Sequence, residues 1–103
     1  MRSKVKFVRN FDVTAQFRKD WGWLSHSGRY KMIELKKAML LLVANDGPLP
    51  PEYKDHPLQG EFADQRDCHI GGDWLLLHTI RDAGTKKETV LFTRTGTHSE
   101  LFG

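Results

Sequence analysis

The hydrophobic pattern changes its period at Gly47 to Pro51, GPLPP, and this break constrains the fold more than any other feature of the chain. Before it, apolar residues recur every three or four positions, the repeat of an amphipathic helix. After it they tend to alternate, the repeat of a strand with one buried face. Pro48, Pro50 and Pro51 fix φ and remove backbone donors, so no regular element can run through. The chain therefore reads as a mostly helical first half joined to an antiparallel second half, an α+β layout.

Within the first half, Lys4 to Phe11 reads as a short strand with Val5 and Phe7 on one face. Asp12 or Thr14 can cap a helix in which Phe17, Trp21 and Leu24 form an apolar stripe. Gly22 costs that helix about 1 kcal/mol relative to alanine. Ser25 to Gly28 breaks it. A second helix is expected from about Tyr30 to Asn45, with Ile33, Leu35, Met39, Leu42 and Val43 on its buried side. In the second half, Gln65 to Ile70 and Trp74 to Arg81 read as a hairpin turning at Gly71-Gly72. A second hairpin has its tip at Asp82 to Lys87 and returns along Glu88 to Thr95. The order is strand, two helices, then a β-meander with the helices on one face. At 103 residues, without repeats or a linker, residues 1–103 are expected to form one domain.

A turn at Gly71-Gly72 would pair Ile70 with Asp73, His69 with Trp74, Cys68 with Leu75 and Asp67 with Leu76. Alternation then sets Asp67, His69 and Trp74 on one face and Cys68, Ile70, Leu75 and Leu77 on the helix face. A slip of one residue would reverse such an assignment.

Charge divides at nearly the same place as the pattern. Residues 1–37 hold ten basic and three acidic groups, while residues 38–103 hold six and ten. The basic half offers Arg2, Lys4, Lys6, Arg18, Lys19, Lys31, Lys36 and Lys37 to a polyanion. Cys68 is the only cysteine, which excludes an intramolecular disulfide and fits a reducing cytoplasm. The longest apolar run, Ala38 to Ala44, is too short to span a bilayer, and the N-terminus does not read as a secretory signal.

Three histidines occupy short polar stretches of the second half: His56 in YKDHPLQG, His69 in RDCHIGGDW and His98 in RTGTHSELFG. Imidazole titrates nearest neutrality, so several together suggest proton transfer. Beside a basic half, the simplest substrate is RNA. One imidazole would take the proton of a ribose 2′-hydroxyl and another would protonate the departing 5′-oxygen. The products would be a 2′,3′-cyclic phosphate and a 5′-hydroxyl end, with no metal or cofactor required. His69 and His98 are the best acid/base pair, with Asp67 as a carboxylate neighbour of His69. Arg94, Lys54 or a protonated histidine could meet the charge growing on phosphorus. Trp74 and Phe102 could stack on bases. His26 and His78 read as ordinary surface histidines. His56, His69, His98, Asp67 and Asp73 are all legitimate metal ligands, but no HExxH or other tight metal spacing is present. There is no glycine-rich phosphate loop and no G-x-S-x-G elbow.

At these same residues the chain resembles the YafQ branch of the RelE/ParE toxins of bacterial type II toxin–antitoxin modules. The resemblance rests on YKDHPLQG, on RDxH followed by DW, and on the terminal RTGTHxxLFG, over about Leu49 to Trp74 and Phe92 to Gly103. It implies a RelE-like fold and a ribosome-dependent mRNA endonuclease that halts translation in the bacterial cytoplasm. The implied partners are the 70S ribosome, mRNA and a cognate antitoxin, with operator DNA contacted only through that antitoxin and no membrane. By motif, the implied active-site set is His56, Asp67, His69, Asp73, Trp74, His98 and Phe102. Other branches use lysine, arginine or tyrosine there, and the ParE branch inhibits gyrase, an alternative that would not need His69 and His98. Cys68 at the x of RDxH, the tip Asp82 to Lys87 and the Gly71-Gly72 turn depart from the family pattern and bear on codon preference.

Overall fold

A computed structural model describes residues 8–103. Strand β1 (Asn10–Val13) leads into helices α1 (Ala15–Ser27) and α2 (Met32–Ala44). After the proline-rich loop come β2 (His56–Pro57), β3 (Arg66–Gly71), β4 (Trp74–Arg81), β5 (Thr89–Thr97) and the short helix α3 (His98–Phe102). The five strands form one sheet in the order β1-β5-β4-β3-β2. The expected α+β layout and the meander are present, and β1 pairs parallel to β5.

Thr14 starts α1: its hydroxyl accepts from the Phe17 N–H at 2.9 Å and donates to the Thr93 carbonyl at 2.8 Å. One side chain thus caps the helix and ties it to β5. Gly28, at φ 72°, ends α1 in the left-handed conformation. Phe17, Leu24, Leu35, Ala38 and Leu42 from the helices bury against Cys68, Trp74, Leu76, Val90 and Phe92 of the sheet. Asp20 closes part of the β5 edge, accepting from the Thr95 N–H and from two guanidinium nitrogens of Arg94.

Four expectations are corrected. Among the described residues the first strand runs on past Phe11, as Asn10–Val13, where pairing with Thr89 to Phe92 selects it; Lys4 to Phe7, and with them Val5 and Phe7, fall outside the described residues. Ile33 is exposed, and Ala38 takes the buried position, because α2 presents a narrower face than its apolar content suggests. The first hairpin turns at Gly72-Asp73, with Gly71 opposite Trp74 and a bulge between His69 and Gly71. Asp67 therefore faces Leu77 and His69 faces Leu75, which moves Leu75 and Leu77 onto the Asp67 side and Trp74 onto the helix side. Finally, His78 is buried rather than a surface residue, because it follows Trp74 and Leu76 at alternate positions of β4 and so shares their helix-facing side, opposite Phe92.

Candidate active site

The face of the sheet turned away from α1 and α2 carries an open cavity of about 470 Å³. Asp67 and His69 come from β3, His56 from β2, and His98 and Phe102 from α3, with Phe62 closing one side. Each arrives by a local device. β2 is too short to be legible as a strand, but pairing sets His56 directly opposite Asp67. The i, i+2 spacing on β3 sends Asp67 and His69 to one face. His98 is the first residue of α3 and follows directly on β5, to which Thr95, Gly96 and Thr97 belong.

The start of α3 is fixed from several directions. Thr97 and Glu100 form a capping box, with the Thr97 N–H donating to Glu100 Oε1 at 2.7 Å. The His98 N–H donates to the Asp73 carbonyl at 3.0 Å, pinning α3 to the β3–β4 turn. Gly96 lets α3 lie close on β5: a Cβ there would stand 3.1 Å from Glu100 Oε1 and 3.3 Å from Leu101 Cδ2. Phe102 then packs edge-on to Phe62, centroids 5.4 Å apart, and against His98 at 5.1 Å.

Asp67 is the floor of the cavity and only 5% exposed. Burial raises its carboxyl pKa above the ordinary value, and His56, His69 and His98 each pull it back. Its Oδ2 lies 3.8 Å from His56 Nε2, while Oδ1 is buried without a hydrogen-bond partner. The Lys54 carbonyl lies 2.6 Å from His56 Nδ1 and can only accept, so Nδ1 carries a proton and Nε2 is turned to Asp67. The His56 and His69 ring centroids are 6.1 Å apart. The cavity thus sets a buried carboxylate among three imidazoles, groups that can give and take protons. The same geometry suits a cation: one ligand atom each from His56, Asp67 and His69 lie within 4.8 Å of one another. Sequence spacing could not show this, because the β2–β3 pairing creates it.

The other expected site residues are dispersed. Trp74 is buried, its Nε1–H donating to Thr95 Oγ1 at 2.9 Å and its ring edge-on to Tyr30, so it is a core residue and not a surface for stacking bases. Arg94 is held by Asp20, and that hydrogen bond raises the guanidinium pKa. Asp73 is exposed in the turn and reaches the site through its backbone carbonyl. Lys54, at φ 49°, is exposed beside the cavity. Arg18, Lys19, Lys31, Lys36 and Lys37 are exposed along α1, α2 and the junction before α2, whereas Arg2, Lys4 and Lys6 lie outside the described residues. Among the described residues no helix is long and apolar enough to cross a membrane.

Residues 9–103 match the family of the bacterial toxin of type II toxin–antitoxin systems, YafQ. The chain is 41% identical over 95 residues to the mRNA interferase toxin YafQ of Escherichia coli K12, covering 92% of this chain and 97% of that one. The E. coli YafQ solved in complex with DinJ superposes with a TM-score of 0.79 at 41% identity, over 92% of this chain and 99% of that one. A metal-bound toxin from Helicobacter pylori superposes at 0.79 with 37% identity, over 91% and 99% of the two chains. Sequence and fold agree in these comparisons: the chain belongs to the YafQ family of bacterial type II toxin–antitoxin toxins.

Proposed function

We propose that residues 1–103 act as one toxin domain, an endoribonuclease that cleaves mRNA in the ribosomal A site of the bacterial cytoplasm. The observation that carries this reading is the meeting of His56, Asp67, His69 and His98 around one open cavity. The E. coli relative is an mRNA interferase, which supports the same activity here. His69 and His98 divide the proton transfers: one removes the 2′-hydroxyl proton as that oxygen attacks phosphorus, and the other protonates the 5′-oxygen as its bond to phosphorus breaks. Asp67 orients His56, whose protonated form would bring positive charge to the phosphate, and Phe102 stacks on a base. Lys54 supports the phosphate from the rim. Arg18, Lys19, Lys31, Lys36 and Lys37 contact ribosomal RNA, with the N-terminal Arg2, Lys4 and Lys6 adding to the same field.

The reaction needs no metal. An ion on His56, Asp67 and His69 would occupy imidazole lone pairs and so inhibit. Because E. coli YafQ is solved with DinJ, a cognate antitoxin chain is expected to silence this protein as well. Expressing the chain and mapping mRNA 5′ ends tests the reading. Frame-locked cuts with 5′-hydroxyl ends are expected, abolished by co-expression of the antitoxin and retained on programmed ribosomes after EDTA when magnesium is restored. Growth arrest with intact mRNA, or cleavage that requires a transition metal, would overturn it.

A further inference from the structure

A second cavity, of about 320 Å³, adjoins the histidine site and shares His69 with it. Glu34 of α2, and Glu52, Tyr53 and Lys54 before β2, line it, and the Gly71-Gly72 end of β3 closes it. β2 pairs only with Arg66 and Asp67, so among the described residues no strand covers the His69 to Gly71 stretch on that edge, and the cavity opens there. No heavy atom lies within 4 Å of where a side chain at Gly71 or Gly72 would begin, so the glycines leave this wall open.

The lining is chemically selective. Two carboxylates repel phosphate but accept hydrogen bonds. Glu34 meets Lys37 at 3.5 Å through Oε2, an exposed and therefore weak pair that leaves Oε1 available. Tyr53 packs its ring against the core, and burial followed by the Glu34 and Glu52 charges raises its hydroxyl pKa, so it remains a neutral donor. Lys54 adds a cation to the lining. The lining thus fits a flat ring that presents amino donors on its edge. Adenine, cytosine and guanine have an exocyclic amino group and uracil has none.

We infer that this cavity is a nucleobase subsite next to the scissile phosphate, in which Glu34 and Glu52 select an amino-bearing base over uracil. The inference builds on the mRNA-cleavage reading, and two measurements separate their fates. In the first, reporters that vary one base at a time on each side of the cut are cleaved on programmed ribosomes. At one position, the amino-bearing bases should be cut about tenfold or more faster than uracil, the discrimination typical of a good base-edge contact. A Glu34→Ala, Glu52→Ala variant should bring that ratio within about threefold. Loss of negative charge alone would speed all four bases alike, so the ratio is the readout. Gly71→Leu, which fills the open wall at a position without a positive φ, should have the same levelling effect.

In the second measurement, AMP, CMP, GMP and UMP are titrated into the isolated protein by NMR. The first three should move the Gly71, Gly72 and Glu52 amides, and the double variant should lose those shifts. Such shifts without any cutting of mRNA would keep the subsite and remove the cleavage reading. Cutting with an unchanged base profile in the double variant, or nucleotide shifts that ignore the amino group, would overturn the subsite.

Discussion

The two faces of the sheet follow opposite rules. On the helix face, Trp74, Leu76, Val90 and Phe92 are almost fully buried, and Trp74 and Thr95 satisfy each other's polar groups. On the other face, Asp67 is just as buried but keeps an oxygen without a partner, beneath three histidines open to solvent. Each face keeps one such atom, His78 Nδ1 on the helix face and Asp67 Oδ1 on the other, but only Asp67 lies beneath an open cavity lined by titratable side chains. Unsatisfied buried polar atoms are uncommon and concentrate where chemistry is done. Substitutions should therefore divide: changes to the histidines at the cavity lower activity and leave folding intact, whereas changes to the apolar residues of the helix face lower stability.

The largest effect tests the site face. His69→Ala and His98→Ala should each slow single-turnover cleavage by about 10²–10⁴-fold with an unchanged melting temperature. Near wild-type rates in both would end the division as drawn here. The next tests the helix face at the residue sequence had assigned to RNA. Trp74→Ala should cost about 3–5 kcal/mol in urea unfolding. If it folded normally and lost only RNA binding, the observed register would be wrong.

His78 sharpens the comparison, because it is a titratable group on the stability face. Burial lowers its pKa from 6.5 to about 4, with Arg66 and Arg9 helping and Asp55 opposing. A histidine shifted downward adds stability that is complete above its unfolded pKa and is lost as pH falls toward the folded value. Between pH 6.5 and about 4 the loss should reach roughly 3 kcal/mol. His78→Leu should flatten that part of the stability profile, and an unchanged slope would assign the loss to other groups.

The smallest effect on stability should come from Asp67, and its sign is reversed. A carboxyl whose pKa is raised by burial adds stability below its ordinary value and loses it as pH rises through the folded value. Asp67→Asn should therefore raise the melting temperature slightly at pH 7 while lowering cleavage about tenfold or more. A fall in both would make Asp67 a structural residue.

What sequence could read on its own depended on distance along the chain. Thr14 as a cap, the Phe17 and Leu24 stripe, the break at Gly47 to Pro51 and the shared face of Asp67 and His69 need only local periodicity. Trp74 was misassigned because its face depends on pairing across a hairpin, and one bulged residue reverses every side chain beyond it. His78 was misassigned with it, since the two lie at alternate positions of β4 and share one face. The parallel pairing of β1 with β5, the seating of His56 opposite Asp67 and the engagement of Arg94 by Asp20 link residues far apart in the chain, and no local pattern encodes them. The sequence by itself determined the class of fold, the family and the residue types available for proton transfer, because these reside in composition, period and short motifs. Tertiary structure alone decided which of those residues meet, since bulges, strand order and the docking of α3 set side-chain direction through hydrogen bonds between distant segments.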